Sequence, residues 1–168
     1  QKAGEIAQRY ARNGAQAWEK PDHSGPVTEA DLAVNAMLFD MLGSARPNYG
    51  WLSEESEDNG ARLDRDHVFI LDPIDGTRSF MEGARTWAHS FAVAERGVVT
   101  AAVVYLPMMD KMYTAARGKG AFLNGERIVT SAKKSLNGAT MLAAKPSYFA
   151  ENWRGNVPDF KKVYRPSL

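Results

Sequence analysis

Asp72-Pro73-Ile74-Asp75-Gly76-Thr77 places two carboxylates, a glycine and a hydroxyl within one short stretch. Proline fixes φ and has no N–H to give a ladder, so the sequence predicts that the preceding strand stops and the chain turns there. Such a turn draws the carboxylates of Asp72 and Asp75 together, at a cost in repulsion that a divalent cation relieves. Gly76 allows a backbone angle that other residues avoid. If residues 77–83 begin a short helix, its first N–H groups face the same spot, as helix N-termini do when they hold phosphate. Oxygen donors without Cys or clustered His favour a hard ion, Mg²⁺ or Mn²⁺. The residues alone leave two readings open, a surface turn and a metal or phosphate site. The apolar run Val68-Phe69-Ile70-Leu71 before Asp72, and Thr77 after the glycine, set this stretch apart from an isolated Asp-Gly turn.

Two known loop geometries test the stretch. An EF-hand needs oxygen ligands at loop positions one, three and five, Gly at six and Glu at twelve. With Asp75 at five, Gly76 and Glu82 fit, but Leu71 and Pro73 occupy the first and third positions, so the EF-hand fails. The haloacid-dehalogenase phosphatases carry Asp-x-Asp-Gly-Thr after an apolar strand, with the first Asp as nucleophile. Here one additional residue separates the aspartates, which misplaces the acid relative to a nucleophilic Asp72; that reading stands as one alternative, and a non-catalytic metal-binding module stands as the other. His23, His67 and His89 match no metal spacing and receive no catalytic role. Trp18, Trp51, Trp87 and Trp153 read as core anchors. Lys145, Arg154, Lys161, Lys162 and Arg165 read as a solvated face, with one or two cations available to a second phosphate of a substrate.

The elements that must position these residues follow from periodicity. Ile6, Ala7, Tyr10, Ala11 and Ala17 or Trp18 recur at helical spacing, predicting a helix over 4–18. Thr28 is a good N-cap for a second helix, with Asp31 in place of the usual Glu of a capping box, and Gly43 and Pro47 end it. A short strand covers 49–53 and stops at Glu54-Glu55, followed by an acidic loop with Glu57, Asp58, Asp64 and Asp66. Val68–Leu71 is a buried strand. Two strands flank Glu95-Arg96-Gly97 between Trp87 and Tyr105, and further strands fall at 111–116, 121–123 and 140–144, with turns at Gly118-Lys119-Gly120 and Asn124-Gly125. Helices followed by mostly antiparallel strands predict an α+β fold rather than a doubly wound one.

Bulk properties narrow the classes. The 168 residues are 44% hydrophobic and 24% charged, with 21 Lys and Arg against 20 Asp and Glu, a formal net charge of +1. That balance argues against a dedicated partner of a nucleic-acid polymer, which carries a clear basic excess. The chain has no cysteine, which removes disulfides, thiolate nucleophiles and thiolate metal sites. No apolar run is long enough to span a bilayer, and residues 1–10 are polar, so a cytoplasmic protein is expected.

Taken together, Ser53-Glu54-Glu55-Ser56 and Phe69-Ile70-Leu71-Asp72-Pro73-Ile74-Asp75-Gly76-Thr77-Arg78-Ser79-Phe80 resemble the inositol monophosphatase superfamily. Glu54-Glu55 matches its Gly-Glu-Glu signature, with Ser53 in place of the Gly. Pro26-Val27-Thr28-Glu29-Ala30-Asp31 looks like its Val-Thr-x-x-Asp segment, and Lys20 lies at a matching distance before Asp31. Gly118-Lys119-Gly120-Ala121-Phe122-Leu123-Asn124-Gly125 resembles its hairpin, so the likeness runs from about residue 4 to 145.

The resemblance implies a layered α/β sandwich of the inositol monophosphatase and fructose-1,6-bisphosphatase type, which hydrolyses phosphate monoesters with Mg²⁺ and metal-activated water. It implies Glu54, Asp72, Asp75 and the Ile74 carbonyl as metal ligands, with Asp31 helping to hold a weaker third ion. Thr77 with Glu54 would orient the water, the N–H groups of Gly76 and Thr77 would contact phosphate, and Glu55 would stand near the metals without being a principal ligand. Inhibition by lithium and a homodimer belong to the same expectation. Gly50-Trp51-Leu52-Ser53-Glu54-Glu55 and Tyr164-Arg165-Pro166-Ser167-Leu168 lean it toward 3'(2'),5'-bisphosphate nucleotidases over strict inositol monophosphatases. Residues 1–168 would be the N-terminal catalytic domain, with the family's second half and its further metal-binding Asp beyond Leu168, and the fragment alone would catalyse poorly.

Overall fold

A computed structural model describes residues 1–21, 25–143, 151 and 161–164. The chain divides into two units, Gln1–Val129 and Thr130–Leu168. In the first unit, helix α1 spans Lys2–Asn13 and ends where Gly14 turns left-handed, φ 75°. A left-handed C-terminal glycine is a common helix stop. It corrects the expected helix over 4–18: Ala17–Glu19 form a short strand, β1, paired antiparallel with β2, Pro26–Thr28. Trp18 is accordingly 43% exposed rather than a core anchor.

Helix α2, Glu29–Ala45, begins as its sequence requires. The Thr28 hydroxyl accepts from the Ala30 N–H at 3.2 Å, and the Asp31 carboxylate accepts from the Thr28 N–H at 2.8 Å. That completes a capping box with Asp at the third position. The helix runs through Gly43 and stops at Arg46, φ −143°, the residue before Pro47. One interior glycine costs only about 1 kcal/mol, whereas a following proline disfavours helical geometry outright.

Ala3 and Ala7 of α1 and Ala30 and Val34 of α2 meet Ile74, Phe80 and Trp87 in one buried cluster. Small residues let α1 come close. A Cβ added at Gly4 would lie 2.9 Å from Tyr105 and 3.0 Å from Pro107, so no side chain fits there without displacement.

Seven strands form the main sheet in sequential order, β3 to β9. Strand β3 (Gly50–Ser53) runs parallel to β4 (His67–Asp75), because the acidic loop and a 3-10 turn at Ala61–Asp64 carry the chain back before pairing. The others are antiparallel: β5 (Ala88–Glu95), β6 (Val98–Leu106), β7 (Lys111–Ala116), β8 (Gly120–Leu123) and β9 (Glu126–Ile128). The turn residues Arg96 and Gly97, and Asn124 and Gly125, all have positive φ, as two-residue hairpin turns require. This is the mostly antiparallel α+β arrangement that the sequence predicts, with β9 as an additional edge strand.

Strand β4 departs from expectation. It does not stop at Pro73 but continues to Asp75, with a register shift between Asp72 and Asp75 against β5. The missing proline N–H falls inside this bulge, where the ladder needs no donor.

In the second unit, Thr140–Ala143 (β10) pairs in parallel with Lys161–Tyr164 (β11). The expected strand at 140–144 thus forms, and its partner is an element that periodicity did not reveal. Among the described residues no helix is long and apolar enough to cross a membrane. His23, Trp153, Lys145, Arg154 and Arg165 lie outside the described residues.

Candidate metal centre

In a regular strand, residues three apart point to opposite faces, since side chains alternate. Asp72 and Asp75 would therefore diverge. The bulge sets Pro73 and Ile74 against a single residue of β5, because Asp72 pairs with Ser90 and Asp75 with Ala88. One extra residue resets the alternation, and the negative charge of Asp75 bears on Asp72. Ile74 fixes the middle of the bulge from inside. Its side chain is fully buried in the core cluster, while its carbonyl accepts the Thr77 hydroxyl at 3.1 Å.

Three other segments bring charge to the same place. The Glu54 N–H donates to the Leu71 carbonyl at 3.4 Å, which ties the start of the acidic loop to β4 one residue before Asp72. Asp31 comes from the first turn of α2, where the Thr28 hydroxyl donates to it at 2.6 Å. Thr77 Oγ1 stands 3.5 Å from Asp31 Oδ1 and so links that helix to the Asp-Gly-Thr loop. Gly76, φ 90°, caps the short helix α3 (Thr77–Met81), which Phe80 anchors edge-on against Trp87 at 5.1 Å.

Electrostatics show how strained this gathering is. Burial raises the Asp72 carboxyl most, followed by the charge and hydrogen bond of Glu54 and the charges of Asp75 and Asp31, to about 8. Burial also raises Asp31, opposed by its bonds from Thr28 and reinforced by Glu54. Asp72 Oδ1 is buried and has no hydrogen-bond partner. Among the described residues no three acidic or imidazole side chains stand at ready-made coordination geometry. The donor set nevertheless fits a hard divalent cation: all oxygens, excess negative charge, and a buried carboxylate oxygen with an unmet need.

The expected residues Asp31, Glu54, Asp72, Ile74, Asp75, Gly76 and Thr77 thus fall into one neighbourhood. Glu55 does not share it on equal terms. Its carboxylate is drawn away toward Lys20, with Nζ 2.7 Å from Oε1. Two contributors escaped the sequence reading. Asn35 donates to the Ser56 hydroxyl at 3.0 Å and to the Glu55 carbonyl at 3.4 Å, holding the acidic loop against α2. His89 lies at hydrogen-bonding distance from the Pro73 carbonyl. Neither has a spacing signal, since their partners are a backbone oxygen or a residue of another segment.

Residues 1–161 match the inositol monophosphatase family. The chain belongs to that family. Among curated inositol monophosphatase relatives, the inositol-1-monophosphatase of Rhizobium meliloti is 40% identical over 120 residues, which are 71% of this chain and 45% of the relative. Nus factor SuhB of Pseudomonas aeruginosa is 33% identical over 165 residues, 97% of this chain and 60% of the relative. The solved IMPase of Thermotoga maritima superposes with a TM-score of 0.76 at 30% identity, covering 84% of this chain and 54% of that one. The chain spans about half the length of the curated relatives it matches. Membership in the inositol monophosphatase family leaves the haloacid-dehalogenase alternative without support, and the layered α+β fold is the family's own.

Proposed function

We propose that this protein is a Mg²⁺-dependent phosphate monoesterase acting on a small phosphorylated metabolite. The observation that carries the reading is Asp72: a half-buried carboxyl pushed up to about 8 by burial, Glu54, Asp75 and Asp31, with one oxygen unpartnered. Such a group is stabilised by a cation held between these residues. Glu54, Asp72, Asp75 and the Ile74 carbonyl would hold the ion, with Asp31 at a weaker neighbouring position. Bound there, Mg²⁺ supplies charge neutralisation to the phosphoryl group and a lowered pKa to the attacking water. Thr77, whose hydroxyl lies between Asp31 and the Ile74 carbonyl, would orient the attacking water together with Glu54. The N–H groups of Gly76 and Thr77 would contact the phosphate.

Inositol monophosphate is the first substrate class to assay, since curated relatives carry that name; a 3'(2'),5'-bisphosphate nucleotide is the second. Mn²⁺ is the substitute to try. A staphylococcal inositol monophosphatase of the same fold was solved as a LiCl-soaked inhibitory complex, and lithium sensitivity belongs to this reading. The test is phosphate release from inositol 1-phosphate, adenosine 3',5'-bisphosphate and fructose 1,6-bisphosphate, with Mg²⁺ and with EDTA. Release that ignores EDTA would overturn metal dependence. A single turnover in ¹⁸O-labelled water should put the label in phosphate; label in Asp72 would make it a nucleophile.

A second reading rests on relatives named Nus factor SuhB, 33% and 34% identical to this chain. It takes the protein as a non-catalytic partner that keeps the fold. Mg²⁺ binding with no release from any of the three substrates favours it.

A further inference from the structure

The bulge in β4 needs something to hold it. Pro73 and Ile74 have no paired residue across the ladder, and the one residue of β5 facing them is His89, between Ala88 and Ser90. Its ring meets the Pro73 carbonyl through Nδ1. We infer that His89 is a positioning residue which pins the bulge at Pro73 and so keeps Asp72 and Asp75 on one side of the strand.

Three observations carry this. A carbonyl oxygen only accepts, so the ring nitrogen beside it has to carry the proton and donate. Burial lowers the imidazole pKa, opposed by the Pro73 bond, so the ring is neutral and has only one N–H to give. That N–H goes to Pro73, and Nε2 is left buried with no partner. Packing alone does not account for an imidazole here. His89 is 5% exposed, with Trp87 at 5.5 Å and Tyr105 at 6.2 Å between ring centres. An apolar ring would fill that space without orphaning a nitrogen, which costs free energy in a buried setting. What the imidazole adds is the donor to Pro73. A bulge re-aims side chains beside functional sites, and here the re-aimed pair is Asp72 and Asp75.

The consequence for metal affinity rests on the Mg²⁺ reading above; the bulge itself does not. In the full natural chain, His89→Asn keeps an N–H near the place of Nδ1, and His89→Leu keeps the bulk without a donor. Outer partners of metal ligands typically matter by about 10- to 100-fold in affinity. Calorimetric Mg²⁺ titration should show a loss of that order for the Leu variant, and the Asn variant should restore most of it. At saturating Mg²⁺ the kcat of the Leu variant should recover far more than its affinity does. Thermal melts of both variants check that they fold. Long-range ¹H–¹⁵N spectra of metal-free wild type should show the Nδ1–H tautomer. An Nε2–H tautomer, or equal loss in the Asn and Leu variants, overturns the inference. If wild type binds no Mg²⁺, the functional reading fails and the bulge is decided by amide shifts at residues 74–77. Changes in the Leu variant that the Asn variant reverses support it; identical changes in both overturn it.

Discussion

Lys20 Nζ stands 2.7 Å from Glu55 Oε1 and 3.9 Å from Glu54 Oε2, so one cation chooses between adjacent carboxylates. The Glu55 side chain is nearly enclosed, whereas that of Glu54 is 45% exposed. The close contact is an ion pair at hydrogen-bonding distance. It is enough to oppose the burial that raises Glu55. For Lys20, burial pulls the pKa down, and Glu55, Glu54 and Asp31 together overcome it. Lys20 is thereby committed to Glu55, and Glu54, a ligand in the proposed Mg²⁺ site, keeps the more exposed carboxylate.

Removing one partner of this pair should cost stability. Fully buried pairs lose about 3–5 kcal/mol when broken, and Lys20 retains some solvent, so Lys20→Met should lose about 2 kcal/mol. Glu55→Gln should lose less, and the double variant should recover part of the Lys20→Met loss. Urea denaturation of all four proteins gives the coupling. Simple additivity would show that Lys20 and Glu55 do not act as a pair.

Asp75→Asn should remove activity and spare the fold. The side chain lies at the exposed end of β4, so a neutral isostere disturbs no packing. In the proposed site it is a direct ligand, so it should matter at least as much as the roughly 10- to 100-fold typical of outer partners. Steady-state rates at several Mg²⁺ concentrations, beside a melt, check this. Turnover near wild type would remove Asp75 from the ligand set.

What the sequence disclosed and what it hid differ in kind. The α2 cap was legible because Thr28 and Asp31 are three residues apart and satisfy each other locally. The β5–β6 hairpin was legible because its turn is chemically marked by Arg96-Gly97. The acidic residues could be named from their types and the family resemblance. The bulge could not, because Pro73 reads as a strand stop until the partner strand shows that the ladder steps over it. Strands β1 and β2 were hidden for a similar reason: each has three residues and exists only by pairing with the other. His89 and Asn35 act on partners far along the chain, which no local pattern marks.

Without metal, the protein should become less stable as pH rises from about 4 to about 8. Asp72, Asp31 and Glu55 all have carboxyls raised in the folded state, Asp72 to about 8, with burial the leading cause each time. These three carboxyls hold more protons in the folded chain than in the unfolded one over that window; His89, lowered by burial, holds fewer and opposes them below its ordinary value, but the rise of Asp72 to about 8 outweighs it. Unfolding free energy falls with pH wherever the folded state binds more protons. The contribution is fully present below the unfolded carboxyl pKa and gone above about 8. Asp58 and Asp66 are lowered by Arg62 and Arg96 and titrate below the window. Melting temperatures at pH 5, 6, 7 and 8 should fall in EDTA and stay flatter in Mg²⁺, so the gap widens with pH. A metal-free Tm that rises across this range would contradict the crowded-carboxylate account.

Thr77 offers the sharpest separation between holding the ion and orienting water. Its hydroxyl lies 3.1 Å from the Ile74 carbonyl and 3.5 Å from Asp31 Oδ1, so it can donate to one of the two and keep its lone pairs to accept from water. Thr77→Val preserves the shape and removes the hydroxyl; Thr77→Ser preserves the hydroxyl and removes a methyl. Misplacing a reacting group can cost on the order of 10²-fold in rate. The Val variant should lose kcat by about that factor, the Ser variant should keep most of it, and Mg²⁺ affinity should change little in either. The measurements are kcat at saturating Mg²⁺ and a calorimetric Kd for the ion. A Val variant with normal kcat and weakened Mg²⁺ binding would instead make Thr77 a support for the Ile74 carbonyl, and the water-orienting role would be lost.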